Sequence, residues 1–158
     1  MHMLVKTTMD KIDRILLELV QKNARLTAAE LAEAVSLSPS PVARRLRQLE
    51  AEGLIEGYRA QLNKGKLGLH ITTFVQVRLK EHQDQTIMTF EAEMRAMASV
   101  ISCYTVSGAF DYLLHVVTPS LEGYEQWVRQ LQRLPMVSQV DSSFAIRAVK
   151  ANDPLPIP

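Results

Sequence analysis

The apolar residues of this 158-residue chain repeat with two different periods, and this change divides the sequence into two architectures. Up to Gly53 they recur at the three- and four-residue spacing of amphipathic helices. From Ile71 to Lys80 they alternate with other side chains at a spacing of two, which is the period of a β-strand. Two small domains are therefore predicted: residues 5–53 and 69–150, with residues 54–68 as a linker strand or hinge and 151–158 as an extended tail.

The first domain is predicted to contain three short helices. Asp10 caps the first, whose apolar stripe consists of Ile12, Ile15, Leu16, Leu19 and Val20. Thr27 and Glu30 fit a capping box at the start of the second, and its buried side is formed by Leu31, Ala32 and Val35. The third begins at Ser38 or Ser40, with Pro39 and Pro41 in its first turn, where a missing N–H costs nothing, and ends at Gly53.

The third helix has one apolar face and one basic face. At about 100° per residue, Val42, Leu46 and Leu49 point to the core, and Arg45 lies on the flank. The far side carries Ser40, Arg44, Arg47 and Gln48. Arginine and glutamine can read guanine and adenine edges, and a serine at a helix start suits a phosphate oxygen. Exposed arginines are often no more than a solvated face, but two short helices and a tight turn precede these, which favours a helix-turn-helix.

Composition limits the alternatives. A formal net charge of +1 means that any nucleic-acid site is a local patch. The single cysteine, Cys103, cannot form an internal disulfide, which suits a reducing cytoplasm. The start of the chain lacks the apolar run of a signal peptide, and no stretch approaches the ~20 apolar residues of a membrane span. We therefore expect a cytoplasmic protein with no membrane partner.

The second domain is predicted to have the order βαββαβ of a ferredoxin-like fold, which makes the whole chain α+β. A helix follows the first strand from Asp84, and a hairpin is formed by residues 100–106 and 111–117 around the turn at Ser107 and Gly108. Ser120 caps a second helix that ends at Pro135, and residues 137–146 form the last strand. Helices cover only one face of such a sheet, and apolar residues such as Phe74 and Tyr104 on the other invite a second copy of the chain.

Four stretches resemble the Lrp/AsnC, or feast–famine, family of transcription regulators. They are DKIDRIL from Asp10, LSPSPVARRLRQLE from Leu37, GLIEGY from Gly53 and VSGAFDYLL from Val106. The similarity runs from about Asp10 to about Lys150. It implies a winged-type helix-turn-helix domain, a RAM/ACT-like effector-binding domain, and a regulator that binds double-stranded DNA. It also implies assembly to a dimer, often to an octamer, and a small-molecule effector, typically an amino acid, with no cofactor.

The resemblance carries over to particular residues. The family's recognition helix corresponds to Ser38–Glu50, so the expected DNA contacts are Ser38, Ser40, Arg44, Arg45, Arg47 and Gln48. Arg44 and Arg47 are the better candidates for base edges, and Arg45 for phosphate. The family's effector pocket lies near Gly108, and the expected contacts are Tyr104, Gly108, Ala109, Asp111, Leu134 and Val137. Many members have an acidic residue where this chain has Ala109, which removes one partner for a ligand ammonium. Tyr104 and Leu134 could equally be core residues.

Two other functions are compatible with parts of this architecture. Some sirohaem decarboxylases share the two-domain plan, but the four histidines are scattered without metal-ligand spacing, and only His115 on a strand suits a cofactor pocket. Cys103 is expected to be a small buried residue and not a nucleophile. RNA-recognition domains share the βαββαβ order, but the strands at Tyr104 and Tyr112 lack their aromatic and basic signature.

Overall fold

The computed structural model describes residues 9–158. The chain forms two compact units, each described below by itself. The first consists of residues 9–61 together with Lys150–Pro158, and the second is Leu62–Val149. The chain therefore passes from one unit to the other twice. None of the helices in the described part combines the length and hydropathy of a membrane-spanning segment.

The first unit contains three helices, as the sequence predicts: α1 (Lys11–Lys22), α2 (Ala28–Val35) and α3 (Pro39–Ala51). Asp10 and Thr27 cap α1 and α2 through the reciprocal bonds of a capping box. The three helices enclose a small core of buried residues, namely Leu16, Leu31, Ala32 and Val42. Each buried leucine contributes roughly 2 kcal/mol of hydrophobic stabilisation.

The turn between α2 and α3 fixes where the third helix begins. Ser36 adopts the left-handed conformation, with φ 55°, and ends α2. Ser38 is the N-cap of α3 and Pro39 its first residue, which settles the two alternatives left open by the sequence. Gly53 has a φ of 74°, a conformation that a side chain would strain, and terminates the helix as expected.

The segment after α3 is extended. Residues 54–62, predicted as a strand or an extended linker, belong to no sheet within the described chain. One side chain ties this segment back to α3, because the Tyr58 hydroxyl donates to Glu50 Oε1 at 2.8 Å. The backbone N–H groups of Leu54 and Ile55 also donate to the Leu49 carbonyl of α3. That the segment serves as a linker or hinge stays a prediction.

The second unit confirms the βαββαβ order. Its elements are β1 (Ile71–Leu79), α4 (Asp84–Ala96), β2 (Val100–Thr105), β3 (Tyr112–Thr118), α5 (Leu121–Gln132) and β4 (Val137–Phe144). The four strands pair antiparallel in the order β2-β3-β1-β4. The last strand ends two residues before the predicted Ile146, because Phe144 is the last residue paired with β1.

One face of the sheet is covered by both helices. Val75, Val77, Leu114 and Val116 are completely buried there against Phe90 of α4 and against Trp127 and Leu131 of α5. On the other face, called the open face here, Phe74 stacks on His115 with ring centroids 5.2 Å apart. Phe74 and Tyr104 remain 43% and 60% exposed. The sequence therefore predicted the open apolar face correctly.

Candidate DNA-reading helix and effector turn

The outer face of α3 is occupied by the side chains that the sequence places there. Ser40, Arg44, Arg47 and Gln48 are exposed, whereas Val42 and Leu49 are buried. No carboxylate of the described residues lies within ion-pair distance of Arg44 or Arg47. The two guanidinium groups are therefore free to bind an external acceptor, such as a base edge or a phosphate.

Gln48 is less free than the sequence suggests. Its side-chain amide donates to Glu52 Oε1 at 2.8 Å, one turn further along the same helix. To read a base edge, the amide must first leave this partner, which costs part of the binding free energy. The predicted adenine contact of Gln48 therefore competes with a bond inside the chain.

The first turn of α3 offers few backbone donors. Of its first three residues, Pro39 and Pro41 carry no N–H, so only Ser40 can donate from the backbone. The Ser38 side chain makes no capping bond to this turn. Any phosphate contact at this helix start would therefore depend mainly on the two exposed serine hydroxyls and the single Ser40 N–H.

Arg45 has partners that the sequence did not reveal. Its Nη1 lies 2.6 Å from Asp10 Oδ2 and 2.8 Å from Asp13 Oδ1, at the start of α1. Hydrogen bonds to Asp13 and Asp10 raise the pKa of the Arg45 guanidinium. The backbone N–H of Asp13 and the Arg45 side chain lower the pKa of Asp10 and together outweigh the opposing effect of desolvation. A phosphate contact by Arg45 stays a prediction, and it would have to compete with two carboxylates.

The turn between β2 and β3, called the effector turn here, spans residues 106–111. Gly108 has a φ of 115°, which disfavours any residue with a Cβ. Arg78 of β1 holds the turn from outside: Nε donates to the Ala109 carbonyl at 2.7 Å, Nη2 donates to the same oxygen, and the guanidinium lies 5.4 Å from the centre of the Phe110 ring. Arg78 therefore fixes the position of the peptide group between Ala109 and Phe110.

Asp111 is also engaged within the chain. Its Oδ2 accepts from the Leu79 N–H at 2.7 Å, and its Oδ1 lies 2.8 Å from His82 Nε2. Burial alone would raise the pKa of Asp111, but the bonds from Leu79 and His82 outweigh it and lower the pKa. Asp111 is thus a carboxylate with both oxygens in use, and a ligand ammonium would have to share or displace His82.

The remaining effector candidates do not converge on one cavity in the single chain. Tyr104 lies exposed on the open face, paired with Leu113 across the hairpin. Val137 is 9% exposed and belongs to the core under the helices, and Leu134 packs partly buried against the same core. Arg78 and His82, which do contact the effector turn, were not singled out, because their positions on β1 and after it give no local signal of that contact.

The residues considered for the rival functions are dispersed. Among the described residues no group of three or more His, Cys, Asp and Glu side chains is placed to hold a metal ion.

Cys103 is exposed on strand β2, so the prediction that it is buried was wrong, because β2 is an edge strand. Partial burial and the Glu91 carboxylate raise the pKa of its thiol, which makes it a poorer nucleophile. His115 stacks on Phe74, and its buried Nε2 has no hydrogen-bond partner within residues 9–158.

A helix-turn-helix unit with a free basic helix face, joined to a separate ferredoxin-like unit, defines the class of DNA-binding regulators that carry a regulatory domain. Residues 9–56 match the winged helix-turn-helix DNA-binding family, and residues 72–155 match the Lrp/AsnC ligand binding domain family. The chain belongs to the Lrp/AsnC family of transcription regulators.

Individual relatives agree with this assignment. The proline dehydrogenase transcriptional activator of Rhodobacter capsulatus is 40% identical over 89% of this chain and 92% of its own length. The leucine-responsive regulatory protein of Escherichia coli is 34% identical over 94% of this chain and 92% of its own. A crystal structure of a Neisseria meningitidis transcriptional regulator with L-methionine superposes with a TM-score of 0.91 at 35% identity, covering 94% of this chain and 97% of that one. The sirohaem-decarboxylase alternative finds no support in these relatives.

Proposed function

We propose that this regulator acts as a homodimer that reads two DNA half-sites with its two α3 helices and changes its assembly or DNA affinity when an amino acid binds. The observation that carries this proposal is the outer face of α3. Arg44 and Arg47 are exposed and unpaired among the described residues, on a helix whose opposite face is buried. An arginine that reads guanine is worth roughly 1–3 kcal/mol of discrimination.

The dimer is supported by the open face of the sheet. Phe74 and Tyr104 are large side chains that remain 43% and 60% exposed in the single chain. Phe74 and Tyr104 lie on the open face, where a second copy would shield them from water. A dimer also presents two reading helices about one DNA turn apart, which gives the specificity that one short helix lacks. Further assembly to an octamer is proposed from the family alone.

The amino-acid effector is supported by the effector turn and by the relatives. The L-methionine complex of the Neisseria regulator shows that an amino acid binds to a relative of the same fold. In this chain the turn at Gly108 is exposed and held by Arg78, so its backbone N–H groups are accessible to a ligand carboxylate. Because Ala109 supplies no carboxylate, we propose that the ammonium is bound by Asp111 or by a second copy.

We further propose that the chain functions as a regulator and not as an enzyme, and that it works in the cytoplasm, where its DNA partner lies. The support is the regulator function of its named relatives.

The test is fluorescence anisotropy with duplex DNA taken from upstream of its own gene. Salt is titrated, and an unrelated duplex of equal length serves as the control. Tight binding to one duplex that weakens steeply with salt is the expected result, because each released phosphate counterion adds to the salt dependence. L-Methionine and L-leucine are then added to the complex. Equal and weak binding to both duplexes would overturn the proposed function.

A further inference from the structure

The end of the chain returns to the DNA-binding unit and is bound there. Lys150–Pro158, called the return segment here, belongs to the same compact unit as α1–α3. Its contact with α1 is made by Gln21, an exposed residue near the end of the helix. Gln21 Oε1 accepts from the Leu155 N–H at 2.7 Å, and Gln21 Nε2 donates to the Leu155 carbonyl at 3.2 Å. One side-chain amide thus satisfies both backbone groups of one residue, as a neighbouring β-strand would.

The composition of the return segment suits this contact. Pro154, Pro156 and Pro158 carry no N–H, so from Pro154 onward only Leu155 and Ile157 can donate from the backbone. The prolines also restrict φ, and a chain that is already extended loses less conformational entropy when it docks. The Leu155 side chain is 74% exposed, so at this residue the contact is made by the backbone.

We propose that the surface of α1 around Gln21 is a docking site for the return segment of the same chain, and that the docked segment is a second connection between the two units. The first connection is the extended segment of residues 54–62, which pairs with no strand in the described chain. A single such linker leaves the attached unit free to reorient, whereas a second attachment point restricts it. Docking at Gln21 would therefore limit how far the reading helix moves when the sheet unit binds its effector.

Docking within one chain is tested by cross-linking. Glu18→Cys, at an exposed position one turn before Gln21 on α1, and Leu155→Cys are combined in a Cys103→Ser background, since Cys103 is exposed and would react. The Gln21 amide is thereby kept. A short bifunctional thiol reagent is expected to join the two cysteines within one chain, so that the product has the mass of one chain. Joining of two chains would overturn the proposal, because the return segment would then serve a second copy. The absence of any cross-link would overturn it as well.

Hydrogen exchange provides a second measurement that needs no DNA and no effector. The Leu155 N–H is expected to exchange about five- to tenfold more slowly than in an unstructured chain, and Gln21→Leu should remove that protection. Glu18→Gln, on an exposed position of the same helix, is the matched control and should keep it. Equal exchange in Gln21→Leu and the full chain without substitutions would overturn the assignment of Gln21.

The mechanical consequence is tested with DNA and rests on the proposed dimer. Leu155→Pro removes the donated N–H, whereas Leu155→Ala keeps it and changes only an exposed side chain. With a two-half-site duplex, Leu155→Pro should bind about three- to tenfold more weakly, because the second reading helix is less well positioned. Binding to a single half-site should not change. Equal affinities of Leu155→Pro and Leu155→Ala for the two-half-site duplex would overturn the mechanical role. If neither variant nor the unsubstituted protein bound this duplex, the result would count against the proposed function. The cross-linking result would not be affected, because it does not depend on DNA binding.

Discussion

The Arg45 guanidinium binds the Asp13 carboxylate, with Nη1 2.8 Å from Oδ1, and thereby ties helix α3 to the start of α1. Asp10 accepts a second bond from the same nitrogen at 2.6 Å. Both aspartates also form the capping box of α1. One arginine thus connects the orientation of the reading helix with the first turn of its neighbour.

Arg45→Ala is expected to lower the free energy of unfolding by about 0.5–1 kcal/mol, as for a partly solvated ion pair. Asp13→Ala should lower the free energy of unfolding by a similar amount. The double variant should lose clearly less than the sum of the two single losses, because each single substitution already removes the same contact. Denaturant unfolding of the four proteins measures this coupling. If Arg45 instead contacts phosphate, Arg45→Ala would reduce the slope of log affinity against log salt by about one while Asp13→Ala would not.

Arg44→Ala should remove sequence-specific DNA binding without affecting the fold. Arg44 is exposed and has no ion-pair partner among the described residues, so its loss should not destabilise α3. We expect a loss of about 1–3 kcal/mol in affinity for the cognate duplex, and little change for an unrelated duplex. Arg129→Ala, which removes an exposed arginine from α5, is the charge-matched control. Unchanged discrimination between the duplexes in Arg44→Ala would contradict its role as a base contact.

Arg78→Ala should weaken the effector response while leaving DNA binding without effector unchanged. The substitution frees the Ala109 carbonyl and removes the contact with Phe110, so the effector turn loses its fixed position. The half-saturating concentration of L-methionine or L-leucine, read from the anisotropy change, is expected to rise about tenfold, which corresponds to the loss of a charge-assisted hydrogen bond. Arg95→Ala, on the outside of α4, is the control. A response like that of the unsubstituted protein would exclude Arg78 from the effector site.

Gly108→Ala tests the same turn through its backbone. At a φ of 115° an added Cβ meets no neighbouring atom, so the expected cost is backbone strain of about 1–2 kcal/mol and not a clash. Gly57→Ala, where a Cβ also meets no atom but φ is ordinary, should be nearly neutral. Thermal unfolding of both variants separates the two cases. Equal stability would mean that the turn relaxes to another conformation.

Stability should fall when the pH drops below 6.5 because of His115. Burial lowers the pKa of His115 below its ordinary value of 6.5, and Lys64 lowers it further. The folded chain therefore binds fewer protons than the unfolded chain in this range, and stability is lost as the pH falls from 6.5 through the folded-state pKa. The loss should be less than about 1 kcal/mol, since the ring is partly solvated. His115→Phe should abolish this loss of stability at low pH while keeping the aromatic stack on Phe74. The control His70→Gln should show the same loss as the unsubstituted protein. An unchanged pH profile of stability in His115→Phe would contradict the assignment.

Local patterns in the sequence predicted the helices, strands and caps because these depend on residues close together in the chain. The cap at Asp10, the capping box at Thr27, the stop at Gly53 and the exposed basic face of α3 all follow from spacing. The partners of Arg45, more than 30 residues away in sequence, follow from packing and carry no local signal. The same holds for the contact of Arg78 with the effector turn and for the contact of Gln21 with Leu155.

Burial was harder to predict where a strand lies at the edge of the sheet. Cys103 has the alternation of an interior position, but β2 pairs on one side only, and its side chain remains exposed. Val137 was considered for a ligand space and is instead part of the core. In both cases the order of the strands decides the environment, and that order is a property of the whole fold.

The single tryptophan of the chain, Trp127, is buried in the core of the sheet unit at 5% exposure. The helix-turn-helix unit contains no tryptophan, so intrinsic fluorescence excited at the indole band is a signal from one half of the molecule only. Helical circular dichroism, in contrast, arises from both halves. The two spectroscopic signals together would therefore reveal whether the halves melt as one cooperative body or in succession.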